Sequence, residues 1–142
     1  MKILRNREDY GSLEQELCGL HLVEDTDSKI DTEFTQLQNV FSATFPNLDN
    51  GEDFEFTSWH NNIRMIWVYL YSDQFYNSEL LARIKQMIDS MERPWFAQFE
   101  CYSPALESKS NPNGVIGDFL LYRDSVVFSN SAGWDLIYPR IA

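Results

Sequence analysis

Cysteine, histidine, basic side chains and long apolar runs are all scarce in this 142-residue chain. The longest uninterrupted apolar run is residues 65 to 71, seven residues, against the roughly 20 a membrane-spanning helix needs. The opening MKILRNREDYG turns charged at Arg5 and carries no apolar core region, so no signal peptide is expected. Two cysteines, Cys18 and Cys101, are too few for a disulfide framework and point to reduced thiols in a cytoplasmic protein. Two histidines, His21 and His60, stand apart from any cysteine or carboxylate cluster of zinc-site spacing. Eleven basic residues against 22 acidic ones give a net charge of −11. That balance repels phosphate backbones and anionic lipid surfaces, which argues against nucleic-acid and membrane partners.

Catalytic signatures are missing as well. There is no Gly-x-Ser-x-Gly elbow and no glycine-rich phosphate loop. DTDSKIDTE, residues 25 to 33, has the carboxylate rhythm of a calcium loop, but Lys29 takes a ligand position and Ile30 the obligatory glycine. Cys101 alternates with apolar strand residues, as a buried inert thiol would, and Cys18 lies near a helix end whose dipole raises a thiol pKa. No catalytic residue, metal or cofactor is expected from these patterns. Asp118, inside the apolar run VIGDFLLY, is the one carboxylate whose burial would suit acid–base chemistry. An outward position on a half-wet strand is the preferred reading of it.

What is present is a core. Apolar residues make up 44% of the chain and aromatics 15%, enough for one ordinary domain over residues 1–142. GSLEQELCGL reads as a short helix with a Ser12–Gln15 capping box and a Gly19 stop. Ile30, Phe34, Leu37, Val40 and Phe41 recur at helical spacing, predicting a second helix over 29–43 that Pro46 terminates. A third helix is predicted over 78–91 from Leu81, Ile84, Ile88 and Met91. FEFTSW and the stretch after Asn62 read as a hairpin around His60–Asn61–Asn62. A two-residue loop puts Phe54, Phe56, Met65, Trp67 and Tyr69 on one face; a three-residue loop flips that partnership. PWFAQFECY, VIGDFLLY and SVVFS read as later strands, with WDLIYP as a possible further one, and 103–114 as a loop. The fold class is α+β: two N-terminal helices, then a mainly antiparallel sheet of about five or six strands, with a third helix after the hairpin.

Charge is concentrated. Residues 24 to 55 hold Glu24, Asp25, Asp27, Asp31, Glu33, Asp49, Glu52, Asp53 and Glu55 with Lys29 the only base, so −8 of the total −11 lies there. Such a segment steers a cationic protein toward it, and Tyr or Trp rings supply anchors. Small size, acidity, aromatic richness and the lack of a catalytic motif resemble the bacterial toxin-immunity proteins, including those of contact-dependent growth inhibition systems. That resemblance implies a basic protein partner, a nuclease-type toxin, whose active site is occluded by carboxylates mimicking phosphates. The element order is also similar to that of the cone-shaped nuclear-transport-factor-like domains. That likeness implies instead a pocket lined by Phe54, Phe56, Trp67 and Tyr69, with Asp118 or Glu100 as its polar groups.

Overall fold

Hydrophobic periodicity switches between helix and strand along the chain, and the computed structural model follows it through residues 2–4, 8, 11–12, 15, 27–58, 65–90, 95–122, 125–129 and 131–142, those it describes. The elements are β1 (Lys2–Leu4), α1 (Asp27–Thr44), β2 (Phe54–Ser58), β3 (Met65–Leu70), α2 (Leu80–Asp89), β4 (Phe96–Tyr102), β5 (Val115–Tyr122), β6 (Ser125–Phe128) and α3 (Ser131–Ile141). Single 3-10 turns sit at Asp73–Phe75 and Pro104–Leu106. The chain is thus α+β, with one six-stranded sheet in the order β1-β6-β5-β4-β3-β2.

α1 is the helix predicted over 29–43. Phe34, Leu37 and Phe41 supply its packing stripe, continued just past its end by Phe45; Leu37 and Phe41 are fully buried, while Val40 is 40% exposed and falls off the stripe. α2 is the helix predicted over 78–91 and buries Leu80, Leu81, Ile84, Met87 and Ile88. Of the first predicted helix, Gly11, Ser12 and Gln15 are helical; Gly11 is already inside, so Ser12 does not cap it, and the remainder lies outside the described residues. The layout differs from expectation at both ends of the chain. Lys2–Leu4 is a strand paired in parallel with β6. WDLIYP belongs to a helix, α3, because Gly133, Ile137 and Ile141 recur at helical spacing and are buried on one side. Pro139 sits in the last turn of α3, close to where the helix stops.

The sheet is mixed rather than mainly antiparallel. β2–β3, β4–β5 and β5–β6 are antiparallel, whereas β3–β4 and β1–β6 are parallel. The reason is α2: a helix between β3 and β4 carries the chain back to the starting end, so the next strand runs the same way. The β2–β3 register pairs Phe54 with Leu70, Phe56 with Val68 and Ser58 with Ile66. That is the flipped partnership, one residue away from the pairing a two-residue loop would give. Phe54 and Phe56 therefore share a face with Ile66, Val68 and Leu70, and all five are buried. Trp67 and Tyr69 point the other way.

α1, α2 and α3 join the core on that first face. Phe41 of α1 packs 4.9 Å from Phe54 and 5.4 Å from Phe56, and Phe34 lies 5.6 Å from Phe56. Phe99, Phe119 and Phe128 continue the row across β4, β5 and β6, with centroid spacings of 4.9 and 5.8 Å. α3 closes over Phe128 with Trp134 at 5.4 Å, edge to face. Its approach needs glycine: Gly117 has φ +146, and a Cβ there would stand 2.9 Å from the backbone of Gly133. Cys101 is also on this face, fully buried, and burial pushes its thiol pKa well up, as suits an inert thiol.

Candidate functional site

Alternation along β3 and β4 builds the opposite face. Trp67, Tyr69 and Tyr71 follow one another at i, i+2 and i+4, so their rings stand on one side of the sheet. They stack nearly parallel, with centroids 5.7 Å apart at 12° for Trp67–Tyr69 and 6.2 Å at 4° for Tyr69–Tyr71. Tyr102 on β4 joins them, 5.3 Å from Tyr71. A pin below fixes this end of the sheet. The buried Tyr76 hydroxyl lies 2.9 Å from the Tyr102 carbonyl and 3.2 Å from the Leu70 carbonyl, and accepts from the Tyr102 N–H at 3.0 Å.

Carboxylates run across the rings. Register places Glu55 beside Tyr69, Tyr69 beside Glu100, and Glu100 beside Asp118. These three acids and one ring form a single row perpendicular to the strands. At about 4.8 Å per strand the row spans about 14 Å from β2 to β5. Tyr71 donates to Glu55 Oε2 at 3.2 Å and Tyr102 donates to Glu100 Oε2 at 2.8 Å. Gln98 Nε2 donates to Asp118 Oδ2 at 3.3 Å, and the Ser129 hydroxyl donates to Asp118 Oδ1. No lysine or arginine pairs with Glu55, Glu100 or Asp118 among the described residues. The phenols register the resulting field. Burial, then Glu100 and Glu55, raises the Tyr69 pKa. Burial, then the charge and hydrogen bond of Glu55, pushes Tyr71 up to about 12. Tyr102 is raised by burial and then by its bond to Glu100. All three phenols are therefore neutral donors near neutral pH.

The acidic stretch of the sequence is not one surface. Glu24 and Asp25 lie outside the described residues, as do His21, Cys18, His60 and the side chain of Asp27. Asp31 is exposed near the start of α1, and about 13 helical residues, or about 20 Å of helix, separate it from the far end. Glu33 is only 7% exposed and accepts from the indole N–H of Trp95 at 2.9 Å. It holds the core together instead of facing a partner. Asp49, Glu52 and Glu55 are exposed at the β2 edge. Asp53 is half-buried and shapes that loop, its Oδ2 accepting from the Asp49 N–H at 2.8 Å. Glu55 thus belongs both to the acidic loop and to the sheet row.

Of the aromatic residues expected at a contact surface or pocket, Trp67 and Tyr69 are half-buried on the second face, while Phe54 and Phe56 are packed under α1. Asp118 and Glu100, the two polar groups expected for a pocket, stand side by side on that second face and are half-exposed. Tyr71, Tyr102 and Gln98 escaped the sequence reading; counting by twos from Trp67 and Glu100 would have found them. Among the described residues no group of three or more His, Cys, Asp or Glu side chains is arranged to hold a metal ion. No described helix is long and apolar enough to cross a membrane. A second concavity, about 700 Å³, lies between α1 and α2 and includes Val40, Arg83 and Met87. Its charges are matched internally, Arg83 bridging to Glu79 at 2.7 Å. Comparison with protein-family models, with curated proteins and with solved structures finds no match to this chain.

Proposed function

We propose that this chain is a small acidic binding protein that neutralises a basic protein partner, in the manner of an immunity protein blocking a nuclease-type toxin. One observation carries the reading: three carboxylates, Glu55, Glu100 and Asp118, all exposed or half-exposed, cross one sheet face beside stacked Trp and Tyr rings, with no described cation paired to them. Like charges directly opposite one another on neighbouring strands destabilise a sheet. A surface that keeps such an arrangement is suited to a ligand that brings the missing charge. Tyr and Trp are the side chains that tolerate being half-wet while alone and desolvated when bound. The exposed Asp49 and Glu52, on the loop leading into β2, extend the negative field beyond the sheet edge. The cone-type pocket draws less support, since Phe54 and Phe56, which would line it, are packed against Phe41.

The test is a search for a basic protein partner by pull-down with the full chain, followed by kinetics of its binding. Association should be fast at low salt and slow steeply as salt rises. Asp49→Lys with Glu52→Lys should reduce the association rate about tenfold or more at low salt with little change in melting temperature. Asp53 is left in place because it braces the loop. An unchanged association rate at low salt would overturn the acidic-surface reading.

A further inference from the structure

β2 is an end strand of the sheet, and its outer edge is only half closed. The Tyr71 N–H donates to the Asp53 carbonyl at 2.8 Å, which makes Asp53–Tyr71 a hydrogen-bonded pair at the start of the β2–β3 ladder. Such pairs alternate in an antiparallel ladder, so Glu55 and Thr57 bond to β3 while the backbone groups of Phe54, Phe56 and Ser58 point away from it. At Phe54 the chain covers its own edge. The Phe54 N–H meets the Asp49 carbonyl at 3.4 Å and its carbonyl accepts from the Gly51 N–H at 2.6 Å, so Asn50 is bridged in parallel to Phe54. That stub of a further strand stops at once. The chain turns at Gly51, with φ +102, and the N–H groups of Glu52 and Asp53 fold back onto the Asp49 carbonyl. Phe56 and Ser58 have no such cover among the described residues. Their N–H and C=O groups are the unpaired remainder of the edge, a template for one more strand.

We propose that this edge takes up an extended segment of a basic partner, with basic and apolar residues in alternation, as an added strand beside Phe56 and Ser58. This rests on the binding reading given above and specifies how the partner is held. The edge itself selects that chemistry. Unpaired backbone groups call for an extended chain, which brings donors and acceptors at the same spacing. On one side of the edge Glu55 is exposed, with the exposed Asp49 and Glu52 on the loop before it, and no described lysine or arginine bridges to them. A residue of the added strand beside Glu55 has its side chain on the same face, where opposite charge stabilises a cross-strand pair. On the other side stands Phe34 of α1, half-buried and 5.6 Å from Phe56 at the end of the aromatic row. The next residue of the added strand points to that side, and an apolar one there covers the ring. A second copy of this chain is a poor occupant, since each copy carries a net charge of −11 and would bring the same acids to the edge.

The experiment titrates the full chain with a synthetic peptide of alternating lysine and valine and follows amide hydrogen exchange by NMR. In the free chain the Phe56 and Ser58 N–H groups should exchange faster than those of Glu55 and Thr57, which the ladder holds. The peptide should bind saturably and slow exchange at Phe56 and Ser58 by about tenfold or more. A peptide of the same composition with its lysines and valines in separate blocks, and the alternating peptide with every amide N-methylated, should each bind about tenfold or more weakly. Ser58→Pro removes an outward donor where an edge strand tolerates proline, and should weaken the alternating peptide about fivefold, with the fold checked by circular dichroism. Glu55→Gln, which keeps an acceptor for Tyr71, should weaken it as well. Equal affinity for the alternating and N-methylated peptides, or unchanged exchange at Phe56 on binding, overturns the edge site. If binding in that case is still lost in the Asp49→Lys, Glu52→Lys chain, the acidic-surface reading stands without the added strand. Slow Phe56 exchange in the free chain together with a dimer in sedimentation gives the edge to a second copy and overturns the proposal. Absence of saturable binding by any of the lysine peptides at low salt removes both.

Discussion

The two faces of the sheet differ in most of their aromatic residues. Beneath the helices the strands present Phe54, Phe56, Phe99, Phe119 and Phe128, and every one is buried. On the other face they present Phe96, which is buried, and Trp67, Tyr69, Tyr71 and Tyr102, all partly exposed. Phenylalanine has no polar atom, so its complete burial leaves no donor or acceptor to satisfy. Tyrosine and tryptophan carry a polar handle and remain stable at a boundary with water. The acids follow the same division: Glu55, Glu100 and Asp118 share the Tyr/Trp face, and the Phe face of the sheet has none. On the reading proposed above, the helix-covered side serves stability and the row of acids on the other side serves contact.

The largest expected effect breaks the helix-covered side. Phe41 meets Phe45, Phe54, Phe56 and Phe75 within 6.0 Å. Phe41→Ala empties the centre of that cluster and should cost about 3–5 kcal/mol in denaturant unfolding. Trp67→Ala removes a larger ring, but one that is only half-buried, and should cost about 1–2 kcal/mol. Equal losses for the two substitutions would show that the faces do not differ as described.

That contrast was only partly legible in the sequence. The helices of 29–43 and 78–91, and the strands around Phe99, Phe119 and Val127, announce themselves through periods of 3.6 and 2. Register did not. Whether Phe54 and Phe56 side with Trp67 or with Val68 depends on one residue of turn length, and period-2 patterns cannot fix that from within a strand. The parallel β3–β4 pairing was likewise hidden, because it follows from where α2 returns the chain. α3 was missed since a short apolar stretch with Pro139 near its end satisfies strand and helix templates alike. The acidic segment showed the commonest limit: neighbours in sequence are not neighbours in space. Glu33 turns inward to Trp95, 62 positions away, while Glu100 and Asp118, far outside the segment, complete the row that begins at Glu55.

A smaller effect separates the faces by pH. Tyr71 ionises near 10 when unfolded and at about 12 in the folded chain, so the folded state holds its proton longer. Its contribution is fully present below pH 10 and is lost as pH rises toward 12. Stability should therefore decline over that window, and tyrosinate absorbance should develop late in the folded protein. Tyr71→Phe should flatten the decline, read as melting temperature against pH. A Tyr71→Phe chain with the same slope as wild type would place the alkaline sensitivity elsewhere.

The smallest expected effect is the sharpest, because its sign runs against intuition. Glu100→Gln removes a carboxylate that lies directly opposite Asp118 and one strand beyond Tyr69 from Glu55. The amide oxygen can still accept from the Tyr102 hydroxyl, so the local geometry is kept while the like-charge opposition is removed. Cross-strand charge pairs are worth about 0.2–1 kcal/mol, and the charged hydrogen bond that weakens offsets part of that. The substitution should therefore raise the melting temperature slightly at low salt, with the gain shrinking as salt screens the repulsion in the wild type. The same change should weaken binding to a basic partner. A substitution that improves the fold and impairs contact is the signature of a residue kept for function at some cost in stability. If Glu100→Gln lowers the melting temperature instead, the row of acids is a structural feature of the sheet, and the division between a stabilising face and a contacting face loses its strongest support.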